Sequence, residues 1–215
     1  MAARHQDSKP MTKAAIASSL DAAQQQLTGA PETAFELAKR ARAAAVELQD
    51  GSGQARSLRI MASARFYQSE MLEAESLAEL ALSTAQQAQD SFIEAEALNS
   101  LGAISYRLGD FGAAMEWRLL HLELVTAQQN QSGMFHSLNN LGNLHGEIDE
   151  FEEAYAKHHA SAQLAEELQD VALQAIATTN MGEDLMQFST GQLDVDSVLN
   201  GIFAVWAFDR SLKRQ

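Results

Sequence analysis

Cysteine is absent from this sequence of 215 residues. That excludes disulfide cross-links and thiolate metal sites, and it suits a reducing compartment. Proline is nearly absent: Pro10 and Pro31 are the two that occur, so nothing of that kind interrupts helix formation later in the chain. No run approaches the roughly eighteen apolar residues that a membrane-spanning helix needs. The opening stretch MAARHQDSKPMTKAAIASSL has no apolar segment of the kind found in a secretory signal. Together these absences set the expectation of a cytoplasmic protein that does not engage a membrane.

Positive charge is also scarce. Lys and Arg number 15 against 29 Asp and Glu, a net charge of −14. The imbalance is uneven. Residues 1–66 hold nine Lys/Arg and six Asp/Glu, whereas residues 67–194 hold three and twenty-one. An acidic body repels phosphate backbones, which argues against a nucleic-acid partner. Phosphate-binding loops, nucleophile elbows and metalloprotease histidine pairs are missing as well. No enzymatic activity, metal or cofactor is therefore expected.

What the chain does contain is repetition. The stretch LNSLGAISYRLGDFGAA at 98–114 superimposes on LNNLGNLHGEIDEFEEA at 138–154 with an offset of forty. Leu98, Asn99, Leu101, Gly102, Phe111 and Ala114 fall on Leu138, Asn139, Leu141, Gly142, Phe151 and Ala154. The register extends back to Leu58, Met61, Ala62 and Ala74, and forward to Asn180, Met181 and Gly182. The endings repeat too: Gln49-Asp50, Gln89-Asp90, Gln129-Asn130 and Gln169-Asp170. A fixed period of this size marks stacked supersecondary units.

Within a unit, Leu98, Leu101, Ile104 and Leu108 form one helical stripe, and Ala114, Trp117, Leu120, Leu124 and Ala127 form a second. Between them, Gly109 suits a helix C-terminus and Asp110 the next N-cap. Each unit is thus helix, short turn, helix. Gly102 and Gly142 lie inside first helices, where glycine costs about 1 kcal/mol against alanine. Close helix approach explains them, with Ala74, Ala114 and Ala154 as the small residues opposite. About ten helices and no strand are expected.

These residues resemble the tetratricopeptide repeat family, in the forty-residue form found in kinesin light chain and bacterial peptide-sensing regulators. The shared pattern is Leu-Gly, an aromatic, Gly-Asp/Glu-aromatic, and Ala twelve residues after the first Gly. Repeats 91–130 and 131–170 match well, and 51–90 matches with Ala62 for Gly and Met71 for the aromatic. The usual Trp and Pro are absent. The resemblance implies an all-α, right-handed superhelical solenoid of antiparallel helix pairs. Its expected parts are a flexible tail at 1–12, a capping helix pair at 13–50, three repeats at 51–170, and a degenerate fourth repeat with an apolar helix at 171–215.

It also implies a non-enzymatic module, an adaptor or the sensory part of a regulator, that binds a peptide or protein segment in a concave groove lined by first helices. Carried over position by position, the groove residues are Arg56, Arg59, Ser63, Phe66 and Tyr67, then Glu96, Asn99, Ser100, Tyr106 and Arg107. The third repeat supplies His136, Asn139, Asn140, Asn143 and Glu147, and the fourth Thr179, Asn180 and Glu183. A carboxamide both donates and accepts, which matches a peptide main chain. The asparagines either do this or bond to neighbouring helices and water. His121, His145 and His158 are expected as packing residues, with a metal site or pH switch as the alternative.

The segment LDVDSVLNGIFAVWAFDRSLKRQ at 193–215 carries apolar residues around most of a helix. Ile202, Phe203 and Trp206 are expected to cap the solenoid, to form a homodimer interface, or to meet a further domain.

Overall fold

The computed structural model describes residues 11–191. The apolar segment with Ile202, Phe203 and Trp206, and most of the expected tail, lie outside them. Two compact units divide the chain, Met1–Asp110 and Phe111–Gln215. The first holds α1 (Lys13–Gln26), α2 (Pro31–Glu47), α3 (Gly51–Tyr67), α4 (Met71–Ala88) and α5 (Ser91–Leu108). The second holds α6 (Phe111–Ala127), α7 (Gln131–Glu147), α8 (Phe151–Glu167) and α9 (Val171–Gly191). All nine elements among the described residues are helices. The tenth expected helix falls beyond residue 191.

The matched sequence endings are the joints of the repeat. Gln49, Gln89, Gln129 and Gln169 all adopt left-handed φ, between 51° and 55°. The turns within repeats do the same at Ser69, Gly109 and Asp149. The amide of the following residue then donates back five positions, as in Asp90 to Ala85 at 3.0 Å and Glu150 to His145 at 2.9 Å. This Schellman-like closure satisfies carbonyls that a helix end leaves open. The next helix starts at once. The Asp90 carboxylate accepts from the Ile93 amide, and the Asn130 carboxamide oxygen accepts from the Gly133 amide.

A glutamine in the left-handed region costs roughly 1–2 kcal/mol that glycine avoids. Gln89→Gly is therefore expected to stabilise the first unit by about 1 kcal/mol, read as a higher urea midpoint. An unchanged or lower midpoint would show that the Gln89 side chain offsets its backbone cost.

Alanine sets the helix spacing. Ala34, Ala38, Ala41 and Ala45 of α2 are fully buried, as are Ala74, Ala78, Ala81 and Ala85 of α4. In the first unit, Ile16, Leu20 and Leu27 of α1 pack with Phe35 of α2 and with Ile60 and Met61 of α3. Successive helices touch within this unit, and α1, α3 and α5 also contact one another in line. In the second unit, Phe135 of α7 packs with Ala165 of α8 and Ala177 of α9. Removing such side chains from water supplies roughly 25 cal/mol per Å² of apolar area.

Candidate ligand-binding faces

The first unit has an open cleft of about 240 Å³ between α1, α3 and α5. Arg59, Ser63, Phe66 and Tyr67 of α3 line it, with Glu96, Asn99 and Ser100 of α5. These are first-helix positions of two neighbouring repeats. Arg59 lies 8% exposed at the cleft. Its Nη2 donates to the Gln24 side-chain oxygen, and its Nη1 stands 3.7 Å from Glu96 Oε2. Nε is buried without a partner. Burial works against the guanidinium charge, Glu96 counteracts it, and Arg56 adds to the burial effect. The side chain nevertheless stays charged, because a guanidinium does not lose its proton in proteins.

Arg56 pairs at 2.6 Å with Asp21 of α1. Phe66 and Tyr67 meet edge to face with centroids 5.8 Å apart, and the Arg107 guanidinium lies 5.6 Å from the Phe66 ring. Tyr106 is half-buried and is not among the cleft residues. Gln24 and Leu27 also line the cleft, and the forty-residue register did not reveal them. Asp21 and Gln24 stand thirty-five residues before their arginine partners, so α1 is out of step with the repeat.

The second unit gathers carboxamides around a buried imidazole. His158 of α8 is 2% exposed. Its Nδ1 lies 2.6 Å from Asp184 Oδ2 of α9. Its Nε2 faces two atoms of α7, the Asn139 carbonyl oxygen at 3.2 Å and Asn143 Oδ1 at 3.1 Å. Asn180 Nδ2 of α9 donates to Asn139 Oδ1 at 2.9 Å and to Asn143 Oδ1 at 3.3 Å. Asn139, Asn143 and Asn180 thus form one network, in which Asn139 is buried and Asn143 exposed. Asn140 is half-buried and His136 exposed, edge-on to the Phe135 ring.

The glycine in LNNLG has a specific reason. A Cβ on Gly142 would stand 2.5 Å from Cδ2 and 2.8 Å from Cε1 of the His158 ring, and closer still to Nε2. The nearest neighbour there is the His158 ring, where the sequence suggested Ala154. Asp184 is the residue that the sequence pattern missed. Its signal is its place one turn after Asn180 on the same helix face.

Among the described residues, His145 and His121 make contacts separate from that of His158. His145 Nδ1 is 2.7 Å from Glu150 across the α7–α8 turn. His121 of α6 shares a hydrogen bond with the Ser137 hydroxyl of α7. Among the described residues no three His, Asp or Glu side chains gather as a metal site would require. Burial, assisted by Arg118 and His136, pushes the His121 imidazole down from 6.5 to about 4. The folded state therefore holds His121 neutral where the unfolded chain binds a proton. That contribution is complete above pH 6.5 and is lost as pH falls towards about 4. The loss is expected to total no more than about 3 kcal/mol, and less with solvent screening. Urea midpoints across this window should fall less steeply in His121→Gln; an identical slope in the variant would contradict the assignment.

No family model matches the chain, and no curated protein does. Solved structures do. BtubC (BKLC) from P. vanneervenii superimposes with a TM-score of 0.76 at 18% identity, over 93% of this chain and 80% of its own. Nearly identical TPR-like repeats of a kinesin light chain assigned in Podospora anserina give 0.69 at 13%, over 90% and 96%. A STAND-type signal transduction ATPase with a tetratricopeptide repeat sensor, from Pyrococcus horikoshii, gives 0.74 at 13%, over 92% of this chain and 30% of that one. The chain has the fold of the tetratricopeptide repeat proteins, an all-α repeat solenoid.

Proposed function

We propose that the protein is a non-enzymatic interaction module that binds a peptide or an extended protein segment on its first-helix faces. The observation that carries this is the cleft between α1, α3 and α5, open to solvent and lined by Arg59, Asn99 and the Phe66–Tyr67 pair. It combines a charge, a carboxamide and apolar rings, the mixture that holds a main chain while reading a side chain. The carboxamides of α7 and α9 offer a second such face. The tetratricopeptide repeat sensor of the Pyrococcus horikoshii ATPase supports an adaptor or sensory role here. Among the described residues no helix is long and apolar enough to cross a membrane.

The test begins with selection of binders from a random peptide display library on the full chain. Asn99→Ala is expected to weaken a peptide held in the first unit's cleft, and Asn140→Ala and Asn143→Ala one held on the second unit's face, each about two- to tenfold, one net hydrogen bond's worth. Calorimetry measures this, with circular dichroism to confirm the fold. Unchanged affinity in all three variants would overturn the reading.

A further inference from the structure

We propose that His158 is a positioning residue: held by Asp184, it orients the Asn143 and Asn180 carboxamides so that one presents a donor and the other an acceptor to a ligand main chain. This rests on the binding reading above and adds a direction to it. The argument begins at the Asn139 carbonyl, which can only accept. His158 Nε2 lies 3.2 Å from it, so Nε2 carries a hydrogen. The Asn143 atom 3.1 Å from the same nitrogen must then be the oxygen. On the other side of the ring, Nδ1 and Asp184 Oδ2 are hydrogen-bonded at 2.6 Å.

The remaining orientations follow by counting donors and acceptors. Asn180 Nδ2 spends its hydrogens on Asn139 Oδ1 and Asn143 Oδ1. It stands 3.5 Å from His158 Nε2 as a second donor to the shared Asn143 oxygen. Asn180 therefore turns its nitrogen inward and has its oxygen left for a ligand. Asn143, exposed on α7, turns its oxygen inward and has its Nδ2 hydrogens left. The packing against Gly142 holds the ring in this place.

One residue of an extended chain presents its N–H and C=O on the same side. Its C=O meets Asn143 Nδ2 and its N–H meets Asn180 Oδ1. A bound segment thus runs from α9 towards α7 in its N-to-C direction.

Nitrogen-15 NMR of the full chain tests the orientation with no ligand. A His158 Nε2–H signal and slowly exchanging Asn180 side-chain protons are expected. His158→Leu should speed that exchange about tenfold, whereas His158→Gln, which keeps a donor, should preserve it. An Nε2 carrying a lone pair, or equal exchange in His158→Leu, would overturn the proposal; the first holds even if that variant fails to fold. With a library-selected peptide, a spin label at its N-terminus should broaden α9 signals and one at its C-terminus α7 signals. The reverse pattern would overturn the direction. Failure to select any peptide counts against the binding reading, while the ligand-free spectra decide the role of His158.

Discussion

Asp184→Ala is expected to lower the unfolding free energy of the second unit by about 3–5 kcal/mol, the cost of removing one partner from a buried ionisable pair. Both side chains are shut away from water, at 2% for His158 and 9% for Asp184. With Asp184 gone, Nδ1 is left without its partner 2.6 Å away, on a side chain only 2% exposed. The penalty is that of an unsatisfied buried group, not of one net hydrogen bond. The double variant His158→Leu with Asp184→Leu should recover much of the loss, because two apolar side chains remove the unpaired group altogether. Urea denaturation followed by circular dichroism checks both. A loss below about 1 kcal/mol in Asp184→Ala would mean that the pair is hydrated in solution.

Gly142→Ala is expected to be nearly as damaging, although alanine is the better helix former by about 1 kcal/mol. The added methyl would enter the His158 ring, whose far side is fixed by Asp184. Either α7 and α8 separate or the ring leaves its acceptors. Overpacking costs about 1–3 kcal/mol, and each lost hydrogen bond adds about 1 kcal/mol. The net expectation is a loss of about 2–4 kcal/mol. Gly182 supplies the control. It occupies the same repeat position in α9, and a Cβ there would meet nothing within 4 Å. Gly182→Ala should therefore stabilise by about 0.5–1 kcal/mol. Opposite signs at two equivalent glycines would be hard to explain by propensity. Equal effects at the two would contradict the packing account.

The repeat was legible because it is written in local chemistry. A glutamine followed by Asp or Asn at every fortieth position marked the joints, and the structure places each glutamine in left-handed backbone. The helix-turn-helix unit followed from stripes such as Leu98, Leu101, Ile104 and Leu108. The first-helix positions of the first unit came from the resemblance to the tetratricopeptide family, and the structure brings Arg59, Asn99, Phe66 and Tyr67 to one cleft. Other features depend on where three helices meet. Nothing near Asn143 signals that its oxygen points at an imidazole fifteen residues on, held by a carboxylate farther along the chain. The forty-residue register aligned Asn140 with Asn180, yet the bonds from Asn180 run to Asn139 and Asn143 on either side of it. Side-chain reach, not register, chooses the partner. Gln24 escaped because α1 keeps a thirty-five-residue spacing to α3.

The central claim is that ligands meet the first helices. The most direct test is chemical-shift mapping of the labelled full chain with a peptide selected from a random display library. The account predicts a shifted Arg59 guanidinium and Asn99 side-chain amide for a peptide held on the first unit, or perturbed side-chain amides at Asn140, Asn143 and Asn180 for one held on the second, with the exposed Leu72 and Leu80 of α4 unmoved. Perturbation confined to Leu72, Leu80 and their neighbours on the second helices would contradict it.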